Sequence, residues 1–281
     1  MAGHKGNGVW KYVPKGKQGE GSPITDRTLP IITIPSTSGT GSHVTPYAVI
    51  TDPETGGKPG FGDDSMFPDL SIVDVDILRE MPERLTAATG FDVFTHVSEN
   101  IVAKGDHPIS DLLARRTVEI VSDYLPRALE DGSDMEAREM MALADTCAGL
   151  SNTASFCNLR HGMVHSISGH YPDIAHGQAL ASVAVPVMEF NLARADERTR
   201  DRYAEIAGRM GGEEKAGEAV ERLKDLIEEL GLDKGLSELG VKEKKISQMT
   251  SDVFSYMEND VENNPVPVTR EEIGDIYRKS F

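Results

Sequence analysis

Along this chain the alternation of apolar and polar positions changes character once. Between residues 29 and 76 the apolar residues come in short β-type runs, LPIITIP (29–35), YAVITD (47–52) and LSIVDVD (70–76), separated by Gly- and Pro-rich links. From about residue 82 the period becomes helical. ERLTAATGFDVFTHVSENIVA (83–103), PISDLLARRTVEIVSDYLPRAL (108–129), SDMEAREMMALADTCAGLS (133–151), RTRDRYAEIAGRM (198–210), EKAGEAVERLKDLIEELG (214–231) and TREEIGDIYRKSF (269–281) each set apolar residues three and four apart, with charge between them. Punctuation agrees with the period. Pro82 stands where a helix begins, Asp134 and Thr269 are good N-caps, and Gly231 follows a helix end. Thr269 and Glu272 have the spacing of a capping box. Residues 1–28 are rich in Gly, Lys and Pro and read as loop. The pattern predicts a small β-rich piece over 1–81, then an all-helical region over 82–281.

Composition narrows the functions open to such a chain. Its 281 residues can bury a substantial core, and 38% hydrophobic with 27% charged residues is ordinary for a globular protein. A net charge of −17 argues against nucleic acid, whose binding needs cationic surface, and against docking on anionic lipid. Solubility alone, or a salt-rich cytoplasm, accounts for the acidity. The longest nearly apolar run, LASVAVPVMEF (180–190), is too short to span a bilayer, and the first residues carry no apolar signal core, so a cytoplasmic location is expected. Cys147 and Cys157 are the only cysteines, too few for a disulfide framework, and read as reduced and mostly buried thiols.

Four of the eight histidines fall within HGMVHSISGHYPDIAHG, residues 161–177. His161 and His165 are four apart, as are Asp92 and His96 in the 83–103 segment, so each pair shares a helix face if its segment is helical. Pro172 separates them from His176 and predicts a loop there. A transition metal takes imidazole and carboxylate ligands, three or four of them, with a position left open when it is catalytic. One such pair alone is commonplace on solvated helix faces. Two pairs with a third histidine nearby point to a metal. His4, His107 and His170 have no such company and read as ordinary polar residues, His170 in an exposed loop. IPSTSGTGSHVTPYAVITD (34–52) holds a turn dense in Ser, Thr and Gly whose amides and hydroxyls could cradle phosphate, although on its own it reads as a polar hairpin loop. Neither the dinucleotide glycine fingerprint nor a P-loop is present.

The stretches PIITIPSTSGTGSHVTPYAVITD, LTAATGFDVFTH, HGMVHSISGHYPDIAHG, PVMEFN and NNPVPVT together resemble the iron-dependent (group III) alcohol dehydrogenases, in order from about Leu29 to the C-terminus. The resemblance implies a partial nucleotide-binding α/β domain followed by a helical metal-binding domain, a dehydroquinate synthase-like architecture with the active site in the cleft. It makes Asp92, His96, His161 and His176 the metal ligands, with Fe(II) expected and Zn(II) also compatible. His165 becomes a catalytic histidine near the reacting carbon, handling a proton because imidazole titrates near neutral pH. Ser36, Thr37, Thr40, Thr45 and Lys58 become contacts to NAD or NADP, His170 a bystander. The implied reaction moves a hydride between a small alcohol and the nicotinamide, giving an aldehyde or ketone, in a homodimer or larger homo-oligomer.

Three departures from the family pattern are visible. His43 stands where an acidic residue is usual, which alters charge beside the cofactor. The segment from His165 to His176 is one residue longer than in many members, a subgroup feature. Nothing in residues 1–28 supplies the family's Gly-Gly-Gly-Ser pyrophosphate turn, so the chain reads as the C-terminal three-quarters of a dehydrogenase, and a parallel sheet without its leading strands should leave apolar edges uncovered. A metal-binding helical module without redox activity is the alternative. A metal-dependent hydrolase also fits the ligands but leaves residues 34–58 unexplained.

Overall fold

The computed structural model describes residues 8–13, 24, 28–105 and 107–281. Most of the loop expected over 1–28, and His4, lie outside these. Four short strands follow: β1 (Ile32–Thr33), β2 (Tyr47–Val49), β3 (Gly60–Gly62) and β4 (Leu70–Ser71). β1 pairs with β4 in parallel, and β2 pairs with β3 antiparallel, with Ala48 opposite Phe61. The strands are shorter than their apolar runs. The run at 70–76 stops being extended because the Asp74 side chain accepts from the Asp76 N–H and starts a helical turn, α1 (Val75–Leu78). Leu29, Ile32, Ile34, Leu70, Ile72 and Val73, in and around β1 and β4, are exposed.

The helical region comprises α2 (Glu83–Val102), α3 (Pro108–Glu130), α4 (Met135–Ser155), α5 (Leu159–His170), α6 (His176–Arg194), α7 (Glu197–Arg209), α8 (Glu218–Glu229), α9 (Ile246–Tyr256), α10 (Glu258–Asn263) and α11 (Arg270–Lys279). Asp134 caps α4 through the Ala137 N–H, and Thr269 with Glu272 closes the capping box of α11. His107 is the N-cap of α3, its Nδ1 accepting from the Ser110 N–H at 3.2 Å. α2 is the axle of the fold. Nearly every residue from Thr86 to Val102 is buried, among α3, α4, α6 and α7.

Two outcomes differ from the sequence reading. The apolar run at 180–190 is the middle of α6, and His176, expected in a loop, is that helix's first residue. α6 is apolar around most of its circumference, so it lacks the one-sided stripe that marks a surface helix. α9 and α10 were not anticipated as separate helices, although α9 is clearly amphipathic. No helix among the described residues is long and apolar enough to cross a membrane.

Candidate metal centre

α2 carries Asp92, His96 and Glu99 at helical positions i, i+4 and i+7, one stripe of an otherwise buried helix. α5 carries His161, which reaches Asp92 and Glu99, and His165, and α6 begins beside both with His176. Glycines allow two close approaches, α6 against α2 at Gly177 and α5 against the turn around Gly56 at Gly169. A Cβ on Gly177 would lie 1.8 Å from the Ala88 carbonyl oxygen, and one on Gly169 would lie 2.0 Å from the Gly56 oxygen.

These helices bring one donor atom each from Asp92, His161 and His176 within 4.8 Å of one another. His161 Nε2 stands 3.2 Å from Asp92 Oδ1, and its Nδ1 stands 2.6 Å from Glu99 Oε2. His96 is the fourth predicted member. Its ring stacks on His161 at 4.4 Å between centroids, and its Nδ1 lies 3.6 Å from Asp92 Oδ1. His165 adjoins the group, 5.7 Å from His176 between centroids, with Nδ1 3.2 Å from the Lys58 carbonyl oxygen.

Electrostatics suits a cation. Burial alone would raise the Asp92 carboxyl, but His96, His161 and His176 hold it well below the usual carboxylate range. Burial lowers His96 and pushes His176 down to about 4, so both are neutral imidazoles, the ligand form. Burial also opposes charge on His161, yet Cys157, Glu99 and Asp92 around it drive it well above its ordinary value. The Asp92 and Glu99 carboxylates favour a divalent ion in place of that proton. With its Nδ1–H donated to Glu99, the His161 Nε2 lone pair is aimed at Asp92 and His176, the carboxylate–histidine arrangement that orients metal ligands. Glu99 is itself anchored by the backbone N–H groups of Asn158 and Arg160, at 3.2 and 2.8 Å. The donor set therefore fits a divalent transition metal.

Sequence reasoning missed Glu99, although its seven-residue spacing from Asp92 on a helix of buried residues was a usable signal. His165 differs from expectation in one respect: burial, with His176, His161 and Lys58 adding to it, holds its pKa well below neutral rather than near it. His170 does not lie in an exposed loop. It ends α5, and its Nε2 lies 2.6 Å from Asp252 Oδ2 on α9.

The expected cofactor contacts are more dispersed. Ser36 and Thr40 are exposed and Thr37 is half-buried, whereas Thr45 is buried. Lys58 is half-buried, its ammonium pulled down by burial and supported by Asp92. The turn is docked on the helical region: the Gly41 N–H donates to Asp145 Oδ1 at 2.8 Å, and a Cβ on Gly41, whose φ is +58°, would lie 2.5 Å from Gly149 Cα. His43 faces α4 from within this docking surface, with Nε2 2.8 Å from Thr146 Oγ1 and Nδ1 3.8 Å from Asp145.

Comparison with known proteins gives this geometry its context. Residues 86–281 match the model of the Fe-containing alcohol dehydrogenase family, C-terminal, and residues 1–75 match that of iron-containing alcohol dehydrogenase. The chain belongs to the iron-containing alcohol dehydrogenase family. It is 34% identical to choline dehydrogenase of Bacillus subtilis (strain 168) over all of this chain and 68% of that protein. It is 34% identical to alcohol dehydrogenase 4 of Schizosaccharomyces pombe (strain 972 / ATCC 24843) over 90% of this chain and 59% of that protein. The chain thus spans about three-fifths to two-thirds of these relatives' length. Among solved structures, the archaeal halo-thermophilic Red Sea brine pool alcohol dehydrogenase ADH/D1 bound to NZQ superposes with a TM-score of 0.94 at 58% identity, over 97% of this chain and 69% of that one. A 1,3-propanediol oxidoreductase does so with a TM-score of 0.88 at 30% identity, over all of this chain and 72% of that one. The fold is accordingly the partial α/β plus helical arrangement of this family. Because the nucleotide-side region matches as well as the helical one, the non-redox module is not favoured.

Proposed function

We propose that this chain carries the metal and hydride-transfer site of an alcohol dehydrogenase, interconverting a small alcohol and its aldehyde or ketone. The observation that carries the reading is the convergence of Asp92, His161 and His176 from three helices, with the far nitrogen of His161 tied to buried Glu99. Asp92, His96, His161 and His176 would hold Fe(II) by family, and a mixed oxygen and nitrogen donor set would also accept Zn(II). When bound, the metal polarises the substrate oxygen as a Lewis acid, and NAD or NADP exchanges the hydride.

The chain's own residues do the rest. His165 is neutral, and with its Nδ1–H donated to the Lys58 carbonyl its Nε2 is free to accept the proton an alcohol gives up as it is oxidised. In reduction the same atom returns that proton. The Lys58 ammonium adds positive charge near Asp92, His165 and His176. Ser36, Thr37, Thr40 and Thr45, around a turn fixed by Asp145, are assigned to the nucleotide, with Lys58 at the nicotinamide end. The acidic composition parallels the halo-thermophilic origin of one similar structure and fits a salt-rich cytoplasm.

Metal analysis and kinetics test the assignment together. His161→Ala should abolish stoichiometric metal, whereas His165→Ala should keep the metal and lose turnover by about 10²-fold or more. Unchanged metal content in the first variant removes the ligand set. Titration of NADH and NADPH into metal-loaded protein should give saturable binding of at least one, and no binding of either removes the dehydrogenase reading.

A further inference from the structure

Cys157 stands beside the histidines and has no part in the chemistry above. Its Sγ, one ring nitrogen of His96 and one of His161 lie within 4.8 Å of one another, a donor group distinct from that of Asp92, His161 and His176. The thiol is 3.2 Å from Asn152 Oδ1, to which it donates. The backbone that aims it is held under strain. Phe156, at φ 58° and ψ 162°, is the only non-glycine residue with positive φ among those described, in a region that favours glycine. The residue is 55% exposed, so burial does little to offset that strain. Side-chain amides hold the segment instead. Asn100 Nδ2 donates to the Phe156 oxygen at 2.8 Å, and Asn263 Nδ2 donates to the oxygens of Ser155 and Cys157 at 2.8 and 3.0 Å.

We propose that Cys157, His96 and His161 form a second, thiolate-containing site for a thiophilic divalent cation such as Zn(II) or Cd(II), overlapping the first through His96 and His161. Thiolate ligands favour thiophilic ions, while a carboxylate-containing set suits harder ones. Binding forms a sulfur–metal bond and releases the thiol proton to the buffer, with no change of oxidation state. Because the imidazoles of His96 and His161 serve both ligand sets, the two cations exclude each other. A thiophilic ion thus competes with the metal of the proposed enzyme without entering its full ligand set. The inference rests on the proposed function only for naming Asp92, His96, His161 and His176 as the competing set, and it needs neither hydride transfer nor nicotinamide.

Cd(II) titrated into metal-free protein tests this, in a Cys147→Ser background so that a single thiol remains. A near-ultraviolet thiolate-to-cadmium absorption should saturate at about one equivalent, and Cys157→Ser should abolish it. His176→Ala should retain the band while losing stoichiometric Fe(II), which separates failure of this site from failure of the enzyme site. Cd(II) affinity should fall about tenfold or more in His96→Ala. Cadmium NMR of the protein with Cys157 intact reads the same point without altering that residue, since thiolate ligation moves the resonance far downfield. No thiolate signature in that protein, or an equal band in Cys157→Ser, overturns the proposal.

Discussion

Glu99 is the residue on which the metal centre turns. It is fully buried, and His161, Arg160 and two backbone N–H groups surround it. Burial would raise its pKa, yet His161 and Arg160 hold it below the ordinary value, so it stays ionised to orient His161. Glu99→Gln keeps the shape and removes the charge. Metal affinity should fall by about 10- to 100-fold with little change in helical circular dichroism. An unaltered affinity by calorimetric titration would show that Glu99 does not orient a ligand. At this scale the sequence was informative about residue types and poor about partners. Asp92, His96, His161, His165 and His176 could be singled out by spacing and resemblance. His170 could not be paired with Asp252, because those residues are far apart in sequence and meet only where α5 packs on α9.

Crossing helices, rather than any one helix, set the distance between Asp92 and His176. Gly177 lets the first turn of α6 rest against the Ala88 carbonyl, with no room for a methyl group. Gly177→Ala should push α6 away from α2, cost about 1–3 kcal/mol in chemical denaturation and weaken metal binding at the same time. Stability lost with metal affinity unchanged would mean that α6 can move without carrying His176. Element prediction was good where the apolar stripe was one-sided, as in α3, α7 and α8. It failed for α6, whose faces are nearly all covered, and it overextended β4, where the side chain of Asp74 turns the chain into α1.

The whole molecule depends on how the Ser- and Thr-rich turn is held against the helices, and Asp145 is central to that. Burial raises its pKa to about 7, against the lowering effect of the Gly41 and Gly39 N–H groups. A carboxyl whose folded pKa lies above its unfolded value near 4 stabilises the fold fully below that value, and the contribution is lost as pH rises through about 7. The unfolding free energy of the wild type, measured against Asp145→Asn, should therefore fall between about pH 4 and pH 7. Parallel curves would remove this role, since Asn still offers an oxygen to the Gly41 N–H. Net charge acts on the same scale. With a formal charge of −17, self-repulsion opposes compaction, so added NaCl should raise Tm through screening. A Tm independent of salt would assign the acidity to solubility alone.

The linear pattern by itself determined the change from short strands to helices near residue 82, the caps at Asp134 and Thr269, and the residue types able to ligate a metal. Each is written in neighbours a few residues apart, and local hydrogen bonding with side-chain periodicity is enough to produce it. Tertiary packing decided which imidazole is oriented by Glu99, which stays neutral, and that Cys157 and Lys58 face the same histidines. Those outcomes depend on burial and on charges brought together from distant segments, and neither exists until the helices close around α2.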